Sequence, residues 1–433
     1  MNQYSHSHRH YGEAMLTVED ALARILNFFH VLEPECKPIL ETLGQVLAED
    51  VVSVQDIPSM ANSAMDGYAI QAESVKAASQ DAPISLDVIG YVSAGDSPKV
   101  NVSPGTAVRI MTGAPLPMGA DSVVPFEDTD ELIRRETNQD MSKISVKLKV
   151  DRGSDVRPAG QDIKNGQLVL KKGTILRPYE IGVLASLGHA QIKVIRRPIV
   201  AILSTGNELM EPGDPYDSSK IYNSNGFSVA AAVIRYGGLP KSIGIARDNL
   251  DSMEAMLCKG LESDILITSA GVSKGDYDMV KDVLSSHGNI DFWSVKMRPA
   301  KPLAFGVLRN HCETPVPVLG LPGNPVSAIV AFEQFARPAL FKMMGKTKYS
   351  KPTIRAILED PIYNTDNRRV YARVIVEKKN EVYHARLTGH QGSNLLTSMA
   401  NANGLAICPE DQPIKKAGEF AEVQMLDWPE EVF

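Results

Sequence analysis

Two acids, one amide and two cations stand in loops of this sequence where a charged ligand can be held. They are Glu208, Asp276, Asn223, Arg298 and Lys301, each following a short apolar run. Carboxylates suit a divalent cation, while Arg, Lys and free backbone N–H groups suit phosphate or another oxyanion. Together the set fits a phosphate-bearing ligand handled with a divalent metal. Singly, each residue says little: an exposed Glu or Asp in a loop is usually only solvated, and Arg298 could merely cap a strand end. Their convergence at one edge carries the reading.

The backbone side of such a site is expected at Leu319-Gly320-Leu321-Pro322-Gly323-Asn324-Pro325-Val326-Ser327. Pro317-Val318 reads as the end of a strand and Ala328–Phe332 as the start of an apolar helix. Asn324 suits the N-cap, and Pro325 suits the first helical position, where its missing N–H costs nothing. The corner offers free N–H groups and the positive end of a helix dipole. A plain strand-to-helix turn would have the same sequence. Other chemistries lack their residues. There is no G-x-x-x-x-G-K-[ST] loop, G-x-G-x-x-G turn, G-x-S-x-G elbow or H-E-x-x-H pair. His189, His287 and His390 are scattered, and Cys36, Cys258, Cys312 and Cys408 form no CxxC. Metal- and charge-assisted chemistry on a bound ligand fits better than a covalent nucleophile.

These loops need elements to hold them. From about Arg177 to Gly345 strands and helices alternate. Strands are expected at Ile199–Leu203, Ser242–Ile245, Asp264–Thr268 and Phe292–Val295. Helices are expected at Ser224–Tyr236, closed by Gly237-Gly238, at Asn249–Leu261 and at Asp278–Ser286. The alternation predicts a doubly wound, mostly parallel sheet, where ligands bind beyond the carboxyl ends of the strands. The polar motifs fall at those ends.

The flanks read differently. Residues 1–15, with His6, His8 and His10, read as a disordered tail. Residues 16–50 with 150–176 read as a helical and linking domain. There Thr17-Val18-Glu19-Asp20 resembles a capping box, and a second helix is suggested by Ile39, Leu43, Val46 and Leu47. Residues 51–149 are β-rich, 177–345 hold the α/β sheet, and 346–433 read as a C-terminal β domain. The fold class is thus multidomain α/β with β-rich flanks. A formal charge of −7 leaves no broad basic face for nucleic acid. The uncharged run Thr314–Phe332 is broken by four prolines, so no membrane span is expected. Scattered cysteines and the lack of a secretory signal point to the cytoplasm.

Five stretches occur in a telling order: Asn62-Ser63-Ala64-Met65-Asp66-Gly67-Tyr68-Ala69, Ile110-Met111-Thr112-Gly113-Ala114-Pro115-Leu116-Pro117, Ser204-Thr205-Gly206-Asn207-Glu208-Leu209, Gly271-Val272-Ser273-Lys274-Gly275-Asp276-Tyr277-Asp278 and Leu321-Pro322-Gly323-Asn324-Pro325-Val326-Ser327. In this order, from about Leu16 to Met425, the chain resembles the molybdopterin molybdenumtransferase (MoeA) family, which includes the gephyrin E domain. The resemblance implies insertion of molybdate into adenylyl-molybdopterin with Mg²⁺ and release of AMP. It also implies a homodimer with the active site built across subunits, and a molybdopterin adenylyltransferase as a partner. By position it implies catalytic roles for Asp66, Thr112, Glu208 and Asp276, with Glu208 and Asp276 on the metal. Asn223, Ser273, Arg298, Lys301, Pro322, Gly323, Asn324 and Pro325 would bind substrate. Three positions depart from the family pattern: Ala61 and Asn223 stand where many members carry Asp, and Ala300 replaces a frequent Gly. An adenylyltransferase on the same kind of sheet is one rival reading, but it would not need the Asp66 and Thr112 motifs. A gephyrin-like scaffold is another. The match begins close to the start of the chain, which counts against it.

Overall fold

The structure, a computed structural model, describes residues 15–269, 288–310 and 312–428. The N-terminal tail, the loop with Gly271, Ser273 and Asp276, and the helix expected over Asp278–Ser286 lie outside the described residues. The chain divides into two compact units: Glu49–Thr174 with Pro178–Ala190, and the remainder.

In the larger unit the alternating pattern produces a six-stranded sheet. Its order is Leu239–Ala246, Ile199–Thr205, Ile265–Ser269, Pro315–Leu321, Pro302–Arg309 and Gly288–Ser294. The first four strands are parallel, and Pro302–Arg309 runs antiparallel to both of its neighbours. The sequence reading missed that strand; its opening Pro is a residue that a strand tolerates at its first position. Helix Ser224–Arg235 starts at Asn223, whose side chain accepts the Gly226 N–H, and ends before Gly237 at φ +94°. Helix Leu250–Gly260 is capped by Asn249 in the same way. The helical stretch Pro325–Met343 packs beneath the sheet and widens into a π-helical turn over Phe332–Ala336. Leu319, Leu321, Val326, Phe332 and Phe335 are fully buried in one core with Ile25 and Phe29. Burying each such side chain is worth roughly 1.5–3 kcal/mol.

Thr17 caps the helix Val18–Leu26 by accepting the Asp20 N–H, as the capping-box residues suggest. The second helix does not form. Pro34–Pro38 is a strand paired with Gln191–Ile195, followed only by a 3₁₀ turn over Ile39–Thr42. Gly44, at φ +79°, breaks any continuation, and Val46 and Leu47 pair instead with Ile175 and Val194. The C-terminal region closes a barrel of five strands: Arg369–Lys379, Val382–Leu387, Thr353–Leu358, Phe420–Met425 and Gly404–Cys408, the last pairing back to the first. Met297–Arg298, from the loop before Pro302, adds to this barrel beside Arg369 and Val370.

The smaller unit is built on a five-stranded sheet in the order Ser122–Pro125, Gly67–Ile70, Thr106–Ile110, Ile84–Val92, Lys143–Val146. Gly67 has no room for a side chain: a Cβ there would lie 2.0 Å from the Val124 carbonyl oxygen. The charged stretch Asp130–Lys149 forms the short helix Glu131–Glu136 and the edge strand Lys143–Val146.

Candidate active site

The larger unit holds a cavity of about 1110 Å³ at the carboxyl ends of the parallel strands. Glu208, Asn223, Arg298, Lys301, Pro322, Gly323, Asn324 and Pro325 all line it. Ser273 and Asp276 lie outside the described residues. Asp66 and Thr112 belong to the smaller unit, where they meet each other.

Each loop is placed by simple local rules. Ile199–Thr205 ends at Gly206, whose φ of +141° turns the chain so that Glu208 follows at the rim. The exposed Glu208 carboxylate has no partner among the described residues. Asn223 is 5% exposed, and its side-chain oxygen accepts from both the Gly226 N–H and Ser204 Oγ. Arg298 and Lys301 sit in a hairpin loop whose ends are pinned in register, Ser294 opposite Pro302, with the Val295 N–H bonded to the Lys301 carbonyl at 2.8 Å. Ala300, between them in the chain, takes φ +74°, a conformation that favours Gly. Arg298 donates to Thr365 Oγ1 at 2.9 Å and to the Tyr363 carbonyl, so its guanidinium is held by residues of the C-terminal region. Lys301 is exposed and has no carboxylate partner among the described residues.

The Pro322–Pro325 corner is the helix start that its sequence suggests, with one difference. Asn324 occupies the N-cap, but its side chain makes no capping hydrogen bond. The neighbouring Asn225 instead ties the corner down by donating to the Gly323 carbonyl at 2.7 Å.

The far wall comes from the C-terminal region and was not found from sequence. Tyr363, Arg368, Arg373, Gln391 and Ser393 line the same cavity. Arg368 pairs with Asp366. Arg373 is 1% exposed, with Ser398 Oγ at 3.1 Å and the Gly392 carbonyl at 3.0 Å as partners and no carboxylate partner among the described residues. Burial pushes its guanidinium down to about 10. Its position inside the apolar run Val370–Val376 was a usable signal, because a charge at a buried strand position is expensive unless it is paired or functional.

In the smaller unit, Asp66 Oδ1 accepts from both the backbone N–H and the hydroxyl of Thr112, each at 2.7 Å. The N–H bond first, then the hydroxyl bond, hold this carboxyl below the usual range. The pair presents a fixed carboxylate of assured charge. On either side of Thr112, Arg109 is bound to the buried Glu131, and the Gly113 N–H donates to the Ser63 carbonyl.

Comparison with known proteins agrees with this architecture. The MoeA N-terminal region (domain I and II) matches residues 16–188. A probable molybdopterin binding domain matches 201–342, and the MoeA C-terminal region (domain IV) matches 355–426. Molybdopterin molybdenumtransferase 2 of Mycobacterium tuberculosis is 34% identical over 417 residues, spanning 94% of this chain and 99% of that protein. Molybdopterin molybdenumtransferase of Haemophilus influenzae is 33% identical and spans 95% and 98%. The crystal structure of a molybdopterin biosynthesis MoeA protein from Pyrococcus horikosii superposes with a TM-score of 0.80 at 31% identity, covering 96% of this chain and 100% of that one. No described helix is long and apolar enough to cross a membrane. The three domain matches in chain order, together with near-complete coverage of these relatives, place the chain in the MoeA family of molybdopterin molybdenumtransferases.

Proposed function

We propose that this protein inserts molybdate into adenylyl-molybdopterin, releasing AMP and giving the molybdenum-bearing cofactor. The observation that carries this reading is the charge of the cavity. Four cationic side chains, Arg298, Lys301, Arg368 and Arg373, line it against a single lining carboxylate, Glu208; Asp366, just behind the wall, pairs with Arg368 and lies 3.8 Å from Arg298, which leaves Lys301 and Arg373 without an acid partner among the described residues. Molybdate is a dianion and must approach a ligand that already bears phosphates. Fixed cations in a partly enclosed site offset that repulsion at no cost of reorganisation.

In this reading Arg298 and Lys301 hold the anionic groups, and Asn223, Ser273 and the Pro322–Pro325 wall fix the ligand's outline. The partner subunit's Asp66 and Thr112 complete the site in a homodimer. Mg²⁺ favours octahedral oxygen ligands and is commonly held by one or two carboxylates, completed by substrate phosphate and water. The unpartnered Glu208 fits such a shell, with Asp276 as the second acid. When bound, Mg²⁺ offsets phosphate charge and polarises the anhydride. The adenylylated ligand would come from a molybdopterin adenylyltransferase, and the reaction would run in the cytoplasm.

The test is incubation of the purified protein with adenylyl-molybdopterin, molybdate and Mg²⁺, following AMP. Molybdate-dependent AMP release is expected, and its absence would overturn the proposal.

A further inference from the structure

A directed chain of side-chain hydrogen bonds runs under the cavity floor. Ser269 Oγ donates to Ser204 Oγ at 3.2 Å, Ser204 Oγ donates to Asn223 Oδ1 at 2.8 Å, and Asn223 Nδ2 donates to Glu211 Oε1 at 3.4 Å. Ser269, Ser204 and Asn223 are 2%, 1% and 5% exposed, so their mutual bonds are largely shielded from water, while Ser269 and Asn223 line the cavity.

The direction is forced at Asn223. Its Oδ1 also accepts the Gly226 backbone N–H at 3.0 Å, and a backbone N–H can only donate. That fixes the amide orientation and makes Oδ1 an acceptor alone. The Ser204 proton must therefore point at Asn223. Ser204 has no second proton, so Ser269 must supply the one shared between the two hydroxyls. The Ser269 proton is thus spent inside the protein, while Ser269 itself lines the cavity. What it has left for a ligand is lone pairs. Such a hydroxyl accepts from an N–H and repels a bare phosphate or molybdate oxygen.

We infer that Ser269 is a specificity residue that accepts a hydrogen bond from a heterocyclic N–H of the pterin, with Ser204 and Asn223 as positioning residues that keep its proton turned away. This rests on the proposed pterin ligand. It orients that ligand: the N–H edge lies toward the strand ends, and the anionic groups lie toward Arg298 and Lys301. Both ends of the cavity then discriminate, one against anions and one for them.

The test titrates 6-hydroxymethylpterin, AMP and molybdate separately into the full-length protein and its variants. Ser269→Ala is expected to lose about tenfold in pterin affinity, the scale of one neutral hydrogen bond, with AMP and molybdate unchanged. Ser204→Ala is expected to weaken pterin binding several-fold, because it frees the Ser269 proton to rotate toward the ligand. A merely structural role for Ser204 would move the melting temperature and leave pterin affinity alone. Wild-type pterin affinity in Ser269→Ala, or a loss shared equally by AMP and molybdate, would overturn the inference. The two readings fail separately. Wild-type turnover with an unchanged pterin-substrate KM in Ser269→Ala sinks this inference alone, while a wild-type protein that neither binds the pterin nor releases AMP sinks the proposed function.

Discussion

Thr112 gives Asp66 two hydrogen bonds on one carboxylate oxygen, from its N–H and from its hydroxyl, both at 2.7 Å. A carboxylate held this way stays ionised to lower pH than a free one. Thr112→Val keeps the backbone bond and removes the hydroxyl bond, so the Asp66 pKa should rise toward its ordinary value. Because the folded pKa is depressed, the stabilisation of the charged form is present above the unfolded value and is lost as pH falls through the folded one. The variant should therefore lose AMP-releasing activity at higher pH than wild type on the acid side. Carboxyl titration by NMR checks the shift directly. Asp66→Ala should abolish turnover while leaving the circular dichroism spectrum intact.

Arg373 should matter for binding more than for folding. It is buried without an acid partner among the described residues, so its charge is a burden on folding. Arg373→Met should leave the melting temperature within a few degrees of wild type, or raise it. The same change should weaken binding of an anionic ligand by about tenfold or more, as expected when one charge-assisted hydrogen bond is removed. Calorimetry with molybdate and with AMP measures the loss.

Glu333 anchors a buried node under the π-helical turn. It meets Lys351 at 2.9 Å and Arg337 at 3.6 Å, and accepts from the Tyr236 hydroxyl at 2.9 Å. Burial holds the Lys351 ammonium below its ordinary range, and Glu333 works against that shift. Glu333→Gln leaves two buried cations uncompensated and should cost about 3 kcal/mol at neutral pH. A lysine with a depressed folded pKa penalises folding while charged, and that penalty fades as pH rises through the folded value. The loss should therefore be smaller in urea melts near pH 10 than in melts near pH 7. A loss independent of pH would show that Lys351 does not titrate in this node.

Ala300 sets the cation loop at φ +74°. Ala300→Gly should change stability by less than about 1 kcal/mol, since relief of strain is offset by added freedom in the unfolded chain. Ala300→Val should cost about 2 kcal/mol or more, because a β-branched side chain resists this conformation and the site is buried. It should also raise KM by displacing Lys301. Thermal melts and steady-state kinetics separate the two effects.

The α/β sheet was legible because its signals are local. Apolar runs such as Ile199–Thr205, the Asn223 and Asn249 caps and the Gly237 stop each fix one boundary without reference to the rest of the chain. The Pro302–Arg309 strand was not legible, because nothing in Leu-Ala-Phe-Gly-Val-Leu says which neighbours it will pair with. Gly404–Cys408 was missed for the same reason: it becomes a strand only by closing the barrel between Arg369–Lys379 and Phe420–Met425. The false helix at Ile39–Leu47 came from helical spacing that runs across Gly44. On the site, Glu208, Asn223, Arg298, Lys301 and the Pro322–Pro325 corner could be read as neighbours because all belong to one strand-end rim. Arg368 and Arg373 reach the cavity from far along the chain, brought there by long-range contacts such as the pairing of Met297–Arg298 with Arg369–Val370 and the bond from the Val326 N–H to the Ser393 carbonyl.

That short pairing makes the cation loop a joint possession of two folding modules. Arg298 leaves the sheet on one side and is stitched to the barrel on the other. In the proposed site, the cations that would meet ligand charge are mounted on a hairpin clamped at both ends, while the ligand outline would be set by the separate Pro322–Pro325 corner. On that reading the two properties are carried by different pieces of chain, and exchanging the hairpin would re-tune which oxyanion is accepted without disturbing the wall for the organic part of the ligand.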